Sequence, residues 1–127
     1  MNTQMAIDRS IMLLKWAFGL TLILIGLDKV LGANIFVEWE KYVSPLAQAV
    51  LPIAPGTLVL VLGIAEVLVG AMMLYRFTRI AAYVSIAVLA LIVVNLFSLG
   101  MYDIAARDVL LAFSLLILIW LLDARRV

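Results

Sequence analysis

The sequence predicts an all-α membrane protein, a bundle of four transmembrane helices with both termini in the cytoplasm. Three observations carry this expectation. Of 127 residues, 68% fall in the hydrophobic set and 13% are charged, whereas soluble domains are about half apolar and about a quarter charged. The apolar residues gather into four stretches, Ile11–Leu31, Thr57–Leu74, Ile80–Met101 and Ile104–Leu122, each about long enough to cross a ~30 Å hydrocarbon layer at 1.5 Å per residue. Finally, the stretches do not alternate apolar with polar residues, as membrane β-strands must. The whole chain, 1–127, reads as a single membrane domain.

The first stretch reads as a retained helix. Its apolar run is longer than the core of a secretory leader, and it ends on Asp28 and Lys29 without a small-residue cleavage site. Between the first and second spans, about 34–54, lies an amphipathic connection. Phe36, Val37, Trp39, Tyr42 and Val43 are interleaved with Glu38, Glu40 and Lys41. Ser44-Pro45 is an N-cap followed by proline at the first helical position, and Pro52 and Pro55 bound the apolar run that follows. Two short interfacial helices are expected there, with Trp39 and Tyr42 at headgroup level, forming either a packed extracellular lid or a functional gate.

Four crossings place both termini and the connection 75–79 on one side. That side collects Arg9, Arg76, Arg79, Arg125 and Arg126, with Lys15 one turn inward. On the other side Lys29, Lys41 and Arg107 are offset by Asp28, Glu38, Glu40, Asp103 and Asp108. The positive-inside rule then assigns the termini to the cytoplasm. With a net charge of +1 and no basic helix, nucleic acid is not an expected partner.

The chain has neither Cys nor His. This excludes disulfides, thiolate nucleophiles, His-ligated haem and ordinary zinc sites. The methionines, from Met1 and Met5 to Met101, show no copper-like spacing, and no metal site or covalently bound cofactor is expected.

Ionisable groups inside a membrane are functional suspects, because each costs at least a few kcal/mol there. Glu66 is the clearest, near the middle of the second span. Gly63, Glu66 and Gly70 share one helical face within about 60°. On the first span Gly19 and Gly26 align with Lys15 within about 40°. The two glycine faces are expected to pack together, which turns Glu66 into the bundle. Counting depth by helical rise separates Lys29 from Glu66 by roughly 12 Å, more than a lysine side chain spans. No direct pair is therefore expected. Asn95 falls at intermediate depth, where an amide is more often interhelical glue than a ligand. Asp103 and Arg107 have a favourable acid-then-base spacing for an ion pair, with Asp108 alongside. The expected site is a polar cavity opening outward past Lys29, Asp103, Arg107, Asp108 and Asn95 and ending at Glu66.

Gly26-x-x-Lys29-x-x-Gly32, Glu66-x-x-x-Gly70, Arg79-x-Ala81-Ala82 and Arg107-Asp108, in this order and spacing, resemble the DoxX-like family of small four-helix membrane proteins. The likeness covers about Leu14 to Leu122. Where that family often carries Arg early in its first helix, this chain has Lys15, which lacks the bidentate fork. The resemblance implies a bacterial or archaeal cytoplasmic membrane and the company of quinone-linked oxidoreductases, with Lys29, Glu66, Arg107 and Asp108 at the family's polar positions.

Three functions remain open on the sequence. The chain is expected to be a small membrane subunit of a quinone-linked respiratory or redox complex, not catalytic alone, with Glu66 as proton acceptor or donor and quinone as its one expected cofactor. Alternatively it is a structural or assembly subunit, partnered by other membrane proteins or by itself. A proton-coupled transporter of small solutes is the third reading, less favoured because the chain lacks the internal repeats usual in transporters.

Overall fold

In the computed structural model, which describes residues 2–125, the chain forms five α-helices and one short 3-10 turn. Met1 and Arg126 lie outside the described residues. Helix α1 spans Thr3–Leu31, the 3-10 turn Trp39–Tyr42, α2 Pro45–Val50, α3 Pro55–Leu74, α4 Thr78–Ser98 and α5 Tyr102–Arg125. α1, α3, α4 and α5 are each long and apolar enough to cross a membrane. The molecule is thus an all-α, multi-pass membrane protein with its four spans in up-down order.

The helix ends follow from local chemistry. α1 begins eight residues earlier than its apolar run, because Asn2 caps it by accepting from the Met5 N–H at 2.8 Å. Its first turns carry Gln4, Asp8 and Arg9, which hydropathy alone does not register as helix. The helix stops at Gly32, whose φ of 65° is left-handed and whose N–H closes on the Asp28 carbonyl. Ser44 caps α2 through its Oγ, which accepts from Ala47 N–H, with Pro45 in the first turn. α4 ends at Ser98, short of the expected Met101. Gly100 turns left-handed (φ 77°), and the N–H groups of Gly100 and Met101 return to the carbonyls of Phe97 and Leu96. This pair of bonds is the Schellman stop, which an uninterrupted apolar run conceals.

The helices pack as a ring, α1 on α3, α3 on α4, α4 on α5 and α5 back on α1, with the α1–α3 and α4–α5 seams the most extensive. The apolar core occupies the half of the bundle nearer the termini. There Ile11, Met73, Ala81, Ala82, Leu115, Leu118, Ile119 and Leu122 are buried together. Ala81 and Ala82 bring α4 close to its neighbours. The other half is held differently, and it contains the polar groups.

Candidate functional site

The α1–α3 seam is built from glycine. A Cβ on Gly63 would lie 2.7 Å from Lys29 Cβ and 2.8 Å from the Gly26 carbonyl oxygen. One on Gly70 would lie 2.8 Å from the Gly19 carbonyl oxygen. Only hydrogen fits at these positions, so Gly26 faces Gly63, Gly19 faces Gly70, and the antiparallel backbones touch.

This register brings Lys29 onto Glu66. Lys29 Nζ donates to Glu66 Oε1 at 2.5 Å, with side chains only 7% and 9% exposed. The depth count that ruled out the pair is corrected here, for two reasons. The glycine seam sets Lys29 beside Gly63, its Cβ 2.7 Å from where a Gly63 Cβ would stand, so that the pair is separated by about one helical turn, roughly 5 Å by rise. In addition, every Cα–Cβ bond tilts toward its own helix N-terminus. In an antiparallel pair Lys29 leans inward while Glu66 leans outward, and the two long side chains close the gap. The second carboxylate oxygen, Glu66 Oε2, is buried without a hydrogen-bond partner.

The cluster is roofed, which corrects the expected outward-opening cavity. Asp28, one turn before the end of α1 and buried, folds the following segment back over the helix. Its Oδ1 accepts from Ile35 N–H at 2.8 Å, and its Oδ2 accepts from Phe36 N–H at 3.3 Å and Trp39 Nε1–H at 2.7 Å. The Trp39 ring thereby lies over Lys29, with Nζ 4.6 Å from its centroid, a cation–π contact. The Trp39 indole thus bridges the buried acid and the buried base. Tyr42 leans against Trp39 at 6.5 Å between centroids. Two hollows on the surface are at the opposite end, one along Asn2–Met12 and one beside Arg76 and Arg125.

Asn95 belongs to the roof rather than to the Glu66 site. Its Oδ1 accepts from Ser44 N–H at 3.1 Å, and its Nδ2 donates to the Tyr42 carbonyl. It therefore pins the start of α2 to α4, and Ser44 is fully buried. Asp108 is buried on α5 and within Coulombic reach of Lys29. The exposed Arg107 stands 3.7 Å from Asp108 through its Nε. The anticipated Asp103–Arg107 pair is absent among the described residues. Asp103 is exposed in the first turn of α5, where the helix dipole favours a carboxylate.

Of the residues named from sequence, Lys29 and Glu66 form one pair on the seam of Gly26 and Gly63, and Arg107 and Asp108 form a second pair on α5. Asn95 and Asp103 stand apart. Asp28 and Trp39 were missed as site residues. The signal for Asp28 was available: a carboxylate in the last turn of a helix opposes the dipole there and needs a compensating donor set. Among the described residues no group of acidic side chains is arranged to hold a metal ion. Chemically, the site offers one buried ammonium, one carboxylate with a vacant acceptor oxygen and an indole face. No family model, curated protein or solved structure matches this chain.

Proposed function

We propose that the chain is a small multi-pass subunit of a quinone-linked redox complex, and that Lys29, Glu66 and Trp39 form the part of it that meets the quinone headgroup. The observation that carries the reading is Glu66 Oε2, a buried carboxylate oxygen with no donor. Such an atom costs about 1–3 kcal/mol or more when left unpaired, and a hydroxyl donor from a ligand would satisfy it. The other groups fit the same ligand. Lys29 is a donor suited to a ring carbonyl, the Trp39 indole is a flat apolar cover, and the surroundings are hydrocarbon. The DoxX-like pattern at Lys29, Glu66, Arg107 and Asp108 points the same way.

A quinone supplies two-electron, two-proton redox chemistry when bound. This chain would contribute one of the two proton transfers, the second proton being exchanged with a group of a partner subunit. Glu66 Oε2 would accept a proton from a hydroxyl or return one to it, and Lys29 would hold the compensating charge at Oε1. With no Cys or His, the chain has no usual ligand for an iron–sulfur cluster or haem, so the two electrons would be exchanged with a cofactor of that partner. The glycine seam keeps the acid and base fixed, while the roof excludes water.

The test is Glu66→Gln in the purified membrane complex, followed by binding of a short-chain quinol analogue and quinol-linked turnover. Both are expected to fall at least tenfold, in line with loss of one proton-transfer group. Unchanged binding and turnover would remove Glu66 from the mechanism.

One observation favours a second, purely structural reading. The Lys29–Glu66 contact is direct and sits on the glycine-to-backbone seam of α1 and α3, as a device fixing helix register would. Gentle solubilisation separates the two. A stoichiometric partner that remains bound to an inactive but intact Glu66→Gln protein supports the assembly role.

A further inference from the structure

A second site lies at the other end of the bundle, where the α3–α4 turn meets the end of α5. A hollow of about 220 Å³ is lined by Arg76, Thr78, Arg79, Leu122 and Arg125. Arg79 is shared with Asp123 through an ion pair. Arg76 and Arg125 are exposed and make no ion pair among the described residues. Among the described residues the rim therefore carries two positive charges without an acidic partner. The start of α4 faces the same way. Its N-cap is Phe77, which provides no side-chain cap, and Thr78 Oγ1 is turned back to the Met73 carbonyl at 2.8 Å. The N–H groups of Thr78, Arg79 and Ile80 have no helical acceptor, and the positive end of the helix dipole adds to the rim.

We propose that this hollow binds the phosphate headgroup of an anionic phospholipid in the leaflet next to the termini. Three features select a lipid over a dissolved anion. The floor is apolar Leu122, 8% exposed and continuous with the core. Tyr75, Phe77 and Trp120, all exposed near this end, are the residue types that sit at headgroup depth. The remaining groups are arginine forks, which match phosphate oxygens in pairs. A phosphodiester held there would bridge the α3–α4 turn to α5 by pairing with Arg76 and Arg125, and would accept from the free N–H groups of α4. Basic pockets between membrane helices on the cytoplasmic side are suited to such headgroups. The positive-inside distribution alone explains why arginine is present, but not a hollow shared by two helix ends.

The test uses the full chain in zwitterionic phosphatidylcholine nanodiscs, with phosphatidylglycerol added, and native mass spectrometry to count retained lipid. Phosphatidylglycerol is expected to be retained in preference to phosphatidylcholine. Arg76→Gln with Arg125→Gln is expected to weaken it roughly 30-fold, from about fivefold per cation at an anionic surface. Lys41→Gln, at the opposite end, is expected to leave it unchanged. Inorganic phosphate is expected not to displace the lipid. Equal retention of both lipids, an unaltered double variant, or displacement by phosphate would each overturn the proposal. Should the double variant lose helicity by circular dichroism, Arg76→Lys with Arg125→Lys keeps the charge and removes the forks. Retention equal to the native protein's would then overturn the proposal, and a several-fold loss would uphold it.

Discussion

Replacing Gly63 by alanine adds one methyl group at the point where α1 and α3 touch. The new carbon would stand 2.7 Å from Lys29 Cβ, 2.8 Å from the Gly26 carbonyl oxygen and 3.2 Å from Val30 Cγ2. Carbon atoms rest at about 3.5–4.0 Å, so the helices must part locally by roughly 0.8 Å. None of the first two neighbours is the end of a flexible side chain, and the strain cannot be shed by a rotamer change. Overpacking of this kind costs about 1–3 kcal/mol, against up to about 1 kcal/mol returned by the better helix propensity of alanine. The net expectation is a loss of roughly 1–2 kcal/mol. Because the methyl strikes Lys29 itself, part of that loss comes from stretching the contact with Glu66. Steric trapping in bicelles reads the stability directly, and Ala65→Val, on the exposed face of the same helix, is the control and is expected to change little. A Gly63→Ala protein as stable as the native one would show that the seam is not close-packed, and the register that joins Lys29 to Glu66 would lose its basis.

Removing Lys29 and Glu66 separately is expected to be worse than removing both. Lys29→Met leaves a buried acid without its base and should destabilise by about 3–5 kcal/mol, whereas Lys29→Met with Glu66→Met should come within about 1 kcal/mol of the native protein. Additive losses in that double-mutant cycle would mean the two groups do not interact. Asp28→Asn keeps the shape of the side chain but exchanges charge-assisted acceptance from Ile35, Phe36 and Trp39 for weaker bonds. The roof is expected to loosen by about 1–3 kcal/mol, read as faster acrylamide quenching of Trp39 in a background where Trp16 and Trp120 are phenylalanine. Unchanged quenching would show that Asp28 does not hold the roof.

The four spans were legible because hydrocarbon imposes a simple condition: about 20 apolar residues per crossing, with every backbone group satisfied inside the helix. The glycine faces were legible as well, since Gly63, Glu66 and Gly70 fall on one side at helical spacing. Two kinds of information were not. The Lys29–Glu66 contact depends on the direction in which side chains lean, and a depth count treats each residue as a point on its axis. The roof depends on side chains that reach across long sequence separations, Asn95 to Tyr42 and Ser44 being the longest, and periodicity carries no trace of such bonds. Asp103 shows the opposite error. An i, i+4 acid and base are permitted to pair, but Arg107 lies nearer the buried Asp108.

The two halves of the bundle solve one packing problem in opposite ways. Near the termini the interior is mostly apolar, with Ile11, Met73, Leu115 and Leu118 beside Ala81 and Ala82, and its buried polar side chains are the small hydroxyls of Thr78 and Ser85, the latter without a hydrogen-bond partner. Near the roof, the interior holds Asp28, Lys29, Glu66 and Asp108, whose desolvation hydrophobic residues of similar volume would avoid. If the bundle needed only to stand, the apolar solution of the first half would serve for both. What distinguishes the second half is its access. Its ion pair is fixed from below by glycine-to-backbone contact, which does not give, and covered from above by a short segment anchored mainly through side-chain hydrogen bonds. Left-handed Gly32 and Asn34 lie where that segment leaves α1. A rigid acid–base pair beneath a separately anchored cover is how a site stays dry until something displaces the cover. The vacant oxygen of Glu66 is the group that would meet it.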